Sequence, residues 1–96
     1  MKTLTVLSRS YCHLCDDLIA ALEEFRGRFS LSFHIEVIDI DTHTSLEALW
    51  GDMVPVLLDG EQQVCHYFFN EDAVVRVLSV DKTAALVAAD EANRLK

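Results

Sequence analysis

An α/β fold is what these 96 residues predict: βαβα followed by a ββα unit, forming a mixed four-stranded sheet flanked by helices, plus a C-terminal helical tail. Three observations predict it. An apolar, β-branched run at residues 3–7 passes directly into a stripe with helical spacing. A second extended run at 33–40 is followed by Thr44-Ser45-Leu46-Glu47, which has capping-box spacing. Two further extended runs meet at Asp59-Gly60, a hairpin signal, and lead to a helix that Asn70 is placed to cap. Helical connections between the first strands imply a right-handed crossover and a parallel pair, to which the hairpin adds antiparallel strands.

Residues 3–7 are nearly all apolar, as in a central strand covered on both faces. In the following helix the apolar positions are 14, 18, 21, 22 and 25, and Gly27 is expected to end it. The second strand alternates at Phe33, Ile35 and Val37 before Ile38 and Ile40, which leaves His34 pointing outward or capping an edge. Leu46, Leu49 and Trp50 share one face of a short second helix, with Trp50 a core or domain-surface anchor and Gly51 just past the last turn. Residues 54–58 begin a third strand with Pro55 near its head, where a missing N–H does least harm. Residues 63–68 form the fourth strand, and Val74, Val75 and Leu78 the apolar face of the third helix. The expected domain spans residues 1–80; residues 81–96, alanine-rich with a weak stripe, are expected as a helical tail.

Half the residues are hydrophobic and a quarter charged, with three Gly and one Pro, a composition for one compact domain that needs no structural disulfide. Sixteen acidic against eight basic residues give a net charge of −8, which repels phosphate backbones and anionic lipid surfaces. Neither nucleic acid nor membrane is therefore an expected partner. The opening run is too short for a signal-peptide core or a bilayer span. Together with an odd count of three cysteines, this points to a reducing, cytoplasmic setting, where a CxxC pair is more often catalytic than structural.

The chemistry-bearing stretch is Ser10-Tyr11-Cys12-His13-Leu14-Cys15, at the junction of the first strand and first helix. Helix-start N–H groups and the positive dipole end favour a thiolate there. Cys12 is placed at the mouth of the helix as the nucleophile; Cys15, on the side of Leu18, Ile19 and Leu22, is placed to resolve. Asp16 and Asp17 oppose the thiolate, so Cys12 is expected to be only moderately more acidic than a free thiol. The competing readings are half of a zinc site and two inert cysteines. A closed zinc site needs about four ligands, and Cys65, His66, His13, His34 and His43 are scattered without finger-like spacing. The redox pair is the preferred reading, with no metal ligands assigned.

The element order, the CxxC after the first strand and Met53-Val54-Pro55 opening the third resemble the thioredoxin fold, and more closely its glutaredoxin-like branch. The resemblance covers residues 3 to about 79. It implies that Pro55 is a cis proline facing Cys12 and Cys15 across a groove. It also implies that Val54 offers its backbone to an extended substrate, and that Arg9, three before Cys12, meets a glutathione carboxylate. Tyr11 and His13 complete the implied substrate-binding set. Two departures stand out: Met53 replaces the threonine usual before Val-Pro, and Cys65-His66 falls near the place of a Gly-Gly pair that lets glutathione come close. Cys65 is read as a buried, inert thiol, with a place beside the CxxC as the alternative.

The resulting expectation is a monomeric thiol-disulfide oxidoreductase acting on a disulfide-containing protein or a small thiol. It needs no cofactor, with glutathione a possible co-substrate and a thioredoxin-type dithiol protein a possible donor. The alternative class is a module carrying a metal or an iron–sulfur cluster on the same cysteines.

Overall fold

A computed structural model describes residues 2–79; the tail expected at 81–96 lies outside them. The elements run β1 (Lys2–Ser8), α1 (His13–Arg28), β2 (Phe33–Asp39), a 3₁₀ turn (Ile40–Thr42), α2 (Thr44–Trp50), a second 3₁₀ turn (Gly51–Met53), β3 (Val56–Asp59), β4 (Gln62–His66) and α3 (Glu71–Leu78). The sheet order is β2-β1-β3-β4. β1 pairs parallel with β2 and antiparallel with β3, and β3 pairs antiparallel with β4. This is the expected mixed sheet of the thioredoxin-like fold.

β1 is central because its alternation serves two cores. Leu4 and Val6 pack with Leu18, Leu22 and Phe25 of α1, Val74 of α3, and Leu57 and Cys65. Leu7 joins Ile40, Val56 and Leu58 in the other cluster, which Leu46 and Trp50 of α2 help cover. Burying each such aliphatic or aromatic side chain contributes about 1.5–3 kcal/mol, so β1 could not be replaced by a strand with one polar face.

Several boundaries differ from expectation, each for a local reason. The buried stripe of α1 is Cys15, Leu18, Leu22 and Phe25, while Leu14 is exposed. The helix runs past Gly27, which lies in its last turn. The left-handed residue is Ser30 (φ 51°), with Leu31 N–H donating to Arg26 O at 2.9 Å and Ser30 N–H to Gly27 O at 3.2 Å. That pair of bonds is a Schellman closure, and it satisfies the last carbonyls without glycine. In α2 the capping position belongs to His43, which makes no side-chain cap; Thr44 is already helical and Glu47 turns instead toward Arg9. Gly51 stands just past the last residue of α2 as expected, but it is right-handed (φ −53°) and opens the second 3₁₀ turn. Val37 on edge strand β2 is half exposed.

β3 begins at Val56, after the proline, and β4 is Gln62–His66 rather than 63–68. Asp59 pairs with Gln62, so Gly60 (φ 62°) takes the first central position of a two-residue turn, the place where a II′ hairpin needs glycine. A register shift between Leu57 and Leu58 leaves Val64 as an extra residue in β4. Asn70 caps α3 as expected, its Oδ1 accepting from Ala73 N–H at 3.1 Å.

Candidate functional site

The site lies at the end of the sheet where β1 and β2 finish and β3 begins. Leu7 pairs with Val56, so the chain leaving β1 at Ser8 and Arg9 and the chain entering β3 at Val54 and Pro55 lie at the same end of the sheet. The loop carrying Tyr11 and Cys12 leaves the sheet at this point, and β4 ends here too, with His66 opposite Val56.

Cys12 and Cys15 are joined by a disulfide, with Cα atoms 5.2 Å apart. Cys12 is the N-cap of α1 in an extended conformation, and its Sγ accepts the Cys15 N–H at 3.2 Å while its carbonyl accepts Asp16 N–H at 3.1 Å. One otherwise orphaned helix-start donor therefore points at the sulfur. After reduction the same donor would meet a thiolate, and hydrogen bonds to an ionised acceptor are about twice as strong as neutral ones. Cys12 is half-buried whereas Cys15 is wholly buried (0% exposed), the order needed for an attacking and a resolving thiol.

The flanking residues take distinct places. Tyr11 has a left-handed backbone (φ 59°) and stands fully in solvent, which swings the chain into the helix start. His13 is the exposed first residue of α1. Val54 is half-buried against the α2-side core, Pro55 is buried, and the peptide bond between them is cis. Arg9 does not present a free cation. Its Nε donates to Asp41 Oδ1 at 3.0 Å, its Nη2 lies 3.5 Å from Glu47 Oε1, and its Nη1 reaches Gly51 O at 3.5 Å. The guanidinium thus ties the loop before Cys12 to the 3₁₀ turn at Asp41 and to α2.

Tyr67 is a residue that sequence reasoning missed. It follows β4 in the left-handed region (φ 63°), donates its N–H to Pro55 O at 2.8 Å and its hydroxyl to Asp52 O at 2.7 Å. It straps the segment before β3. The backbone position here that would favour glycine is therefore Tyr67, one residue beyond the Cys65-His66 pair named above. His66 packs edge-on against the Tyr67 ring and its Nδ1 lies 2.6 Å from Gln63 Nε2. Nothing in the sequence marked Tyr67, because an aromatic residue carries no turn signal.

Cys65 is buried in the α1/α3-side core, and burial pushes its thiol above the ordinary value, partly opposed by the Asn70 backbone hydrogen bond. It lines an open groove of about 620 Å³ together with His66, Phe68, Phe69 and Asn70. Among the described residues no group of three or more His, Cys, Asp or Glu side chains is placed to hold a metal ion.

A family profile described as glutaredoxin-like domain (DUF836) matches residues 3–79. Among solved structures, the solution NMR structure of protein Ne2328 from Nitrosomonas europaea superposes with a TM-score of 0.68 at 35% identity, covering 79% of this chain and 89% of that one. No curated protein matches.

Proposed function

The chain belongs to the glutaredoxin-like domain family (DUF836), and from that premise and its Cys12–Cys15 pair, which together support a thiol redox module, we propose a thiol-disulfide oxidoreductase. The observation that carries the reading is the pairing itself: an accessible cysteine capping α1, disulfide-bonded to a wholly buried one a turn further in.

In the reduced protein the Cys12 thiolate attacks one sulfur of a substrate disulfide. The substrate S–S bond breaks, a mixed disulfide forms at Cys12, and the first substrate thiolate leaves. Cys15, deprotonated in turn, attacks Cys12 Sγ; the mixed disulfide breaks and the second thiolate leaves. Two electrons pass from the dithiol to the substrate, and the two departing thiolates take up the protons lost by Cys12 and Cys15. Burial keeps Cys15 away from bulk oxidants, while its place in the same helical turn keeps it within bonding reach of Cys12.

The substrate is a disulfide-bearing protein or small thiol compound, and the electron donor a dithiol of thioredoxin type in preference to glutathione. This preference is supported by Arg9 being engaged with Asp41 and Glu47 and by Tyr67 standing at the end of β4. A cytoplasmic setting and a monomeric state complete the proposal; the first rests on the odd cysteine count and an unpaired, buried Cys65. No helix among the described residues is long and apolar enough to cross a membrane.

The test is equilibration of the full chain in glutathione redox buffers, with acid quench, alkylation and mass spectrometry. A single two-electron transition between the Cys12–Cys15 dithiol and disulfide is expected, with catalysis of insulin disulfide reduction when dithiothreitol is supplied. A pair that exchanges no faster than a free thiol would refute it.

A further inference from the structure

The surface around Cys12 combines exposed apolar side chains with unneutralised negative charge. Tyr11 stands fully in solvent just before Cys12, and Leu14 is exposed one residue before Cys15. Asp16 sits in the first turn of α1, one turn along the backbone from Cys12, its N–H bound to the Cys12 carbonyl at 3.1 Å. Asp17 follows it. Both are exposed and neither has an ion-pair partner among the described residues. Asp52, also exposed, is at the same end of the sheet, where its carbonyl receives the Tyr67 hydroxyl.

The cation nearest in sequence, Arg9, is consumed by Asp41 and Glu47. The whole chain adds a net charge of −8. An anionic partner such as glutathione, with two carboxylates and one ammonium, approaches against this field. A polypeptide with basic and apolar residues approaches with it.

Resting on the oxidoreductase reading above, we infer that the substrate is a polypeptide carrying Lys or Arg and apolar side chains beside its reactive cysteine, and that Asp16 and Asp17 determine this specificity. Charges of this kind act mainly on encounter: complementary fields raise association rates, and like charges suppress the wrong partner. The exposed Tyr11 and Leu14 supply the apolar contact that holds the encounter complex while sulfur exchange proceeds. The chemistry is the same dithiol exchange, with electrons and protons balanced as above and no further reactant.

The experiment uses the full chain reduced by dithiothreitol and then desalted, mixed in single turnover with three peptides of equal length. Each bears one cysteine activated as a neutral 2-pyridyl disulfide, flanked by lysines, by serines or by glutamates; thiopyridone release reports Cys12 attack. At low salt the lysine peptide is expected to react at least about tenfold faster than the glutamate peptide, a ratio that falls as salt is added. Asp16→Asn/Asp17→Asn should reduce the ratio several-fold. These substitutions also change the thiolate fraction, but that change is common to all three peptides and cancels in the ratio. Glu23→Gln/Glu36→Gln, which removes the same charge from exposed positions elsewhere, should leave the ratio near wild type.

Equal rates for the lysine and glutamate peptides overturn the inference, as does a ratio that drops equally in the remote variant. Brisk reaction with the serine peptide alongside equal rates would leave the oxidoreductase reading standing while this one falls. Failure to react with any peptide faster than a free thiol would sink both.

Discussion

The backbone N–H of Cys15 points at Cys12 Sγ across 3.2 Å, so the residue proposed to resolve the mixed disulfide also supplies a hydrogen bond to the proposed nucleophile. The two roles are set by backbone position as well as by the side chains. Cys12→Ser is therefore expected to abolish disulfide exchange. Cys15→Ser, which keeps the amide, should retain first attack and accumulate mixed disulfides visible by mass spectrometry. Partner trapping by the Cys12 variant alone would reverse the assignment.

Asp16 and Asp17 sit where the helix start would otherwise favour a negative sulfur, and like charge within reach disfavours a second one. Asp16→Asn and Asp17→Asn should each speed iodoacetamide alkylation of reduced Cys12 at neutral pH by roughly two- to threefold, the modest size reflecting exposure and screening. Added salt should narrow the difference from wild type. Unchanged rates in both variants would show that the carboxylates do not reach the sulfur.

Cys65 offers a pH signature of its own. Burial raises its thiol above the ordinary 9.0, so the folded chain holds that proton to higher pH than the unfolded chain does. Above that ordinary value the unfolded state ionises first, which draws the equilibrium toward unfolding. The contribution is complete below the unfolded pKa and is lost as pH rises through the folded one. Denaturant titrations should show stability falling above about pH 9, with a shallower fall in Cys65→Ala. At neutral pH that variant should lose about 1–2 kcal/mol as a small core truncation, with Cys12 chemistry intact. A large loss of exchange activity would place Cys65 in the site.

Most of the scaffold was legible because periodicity and turn chemistry act locally. The β1 run, the CxxC at a helix start, the Asp59-Gly60 turn and the Asn70 cap each carry their signal within a few residues. Errors arose where tertiary partners decide. Thr44 has the spacing of a cap, but Arg9, 38 positions before Glu47 and bonded to Asp41 and Glu47, holds Glu47 instead. Gly27 looked like a terminator, but the chain closes α1 through Ser30 instead. Leu14 fitted the apolar spacing yet faces solvent, because Cys15 occupies the buried side of the first turn. The extra residue at Val64 and the strap made by Tyr67 left no local trace at all.

Tyr67 is where stability and specificity can be separated. A non-glycine residue in the left-handed region costs about 1–2 kcal/mol, while its hydroxyl bond to Asp52 O returns about 0.5–1.5 kcal/mol. Tyr67→Phe keeps the unfavourable backbone and loses the bond, so it should be less stable than wild type by about 0.5–1.5 kcal/mol. Tyr67→Gly relieves the backbone but forfeits the bond and the ring contact with His66, and should stay within about 1 kcal/mol of wild type. Their effects on glutathione should differ in kind. In a Cys15→Ser background, turnover with glutathione alone is expected to be weak, to remain weak in Tyr67→Phe because the ring persists, and to rise several-fold in Tyr67→Gly because the end of β4 is laid bare. Equal glutathione activity in the two variants would mean that the Tyr67 ring does not obstruct the tripeptide. Strong activity with Tyr67 intact would mean that neither this ring nor the engaged Arg9 excludes glutathione.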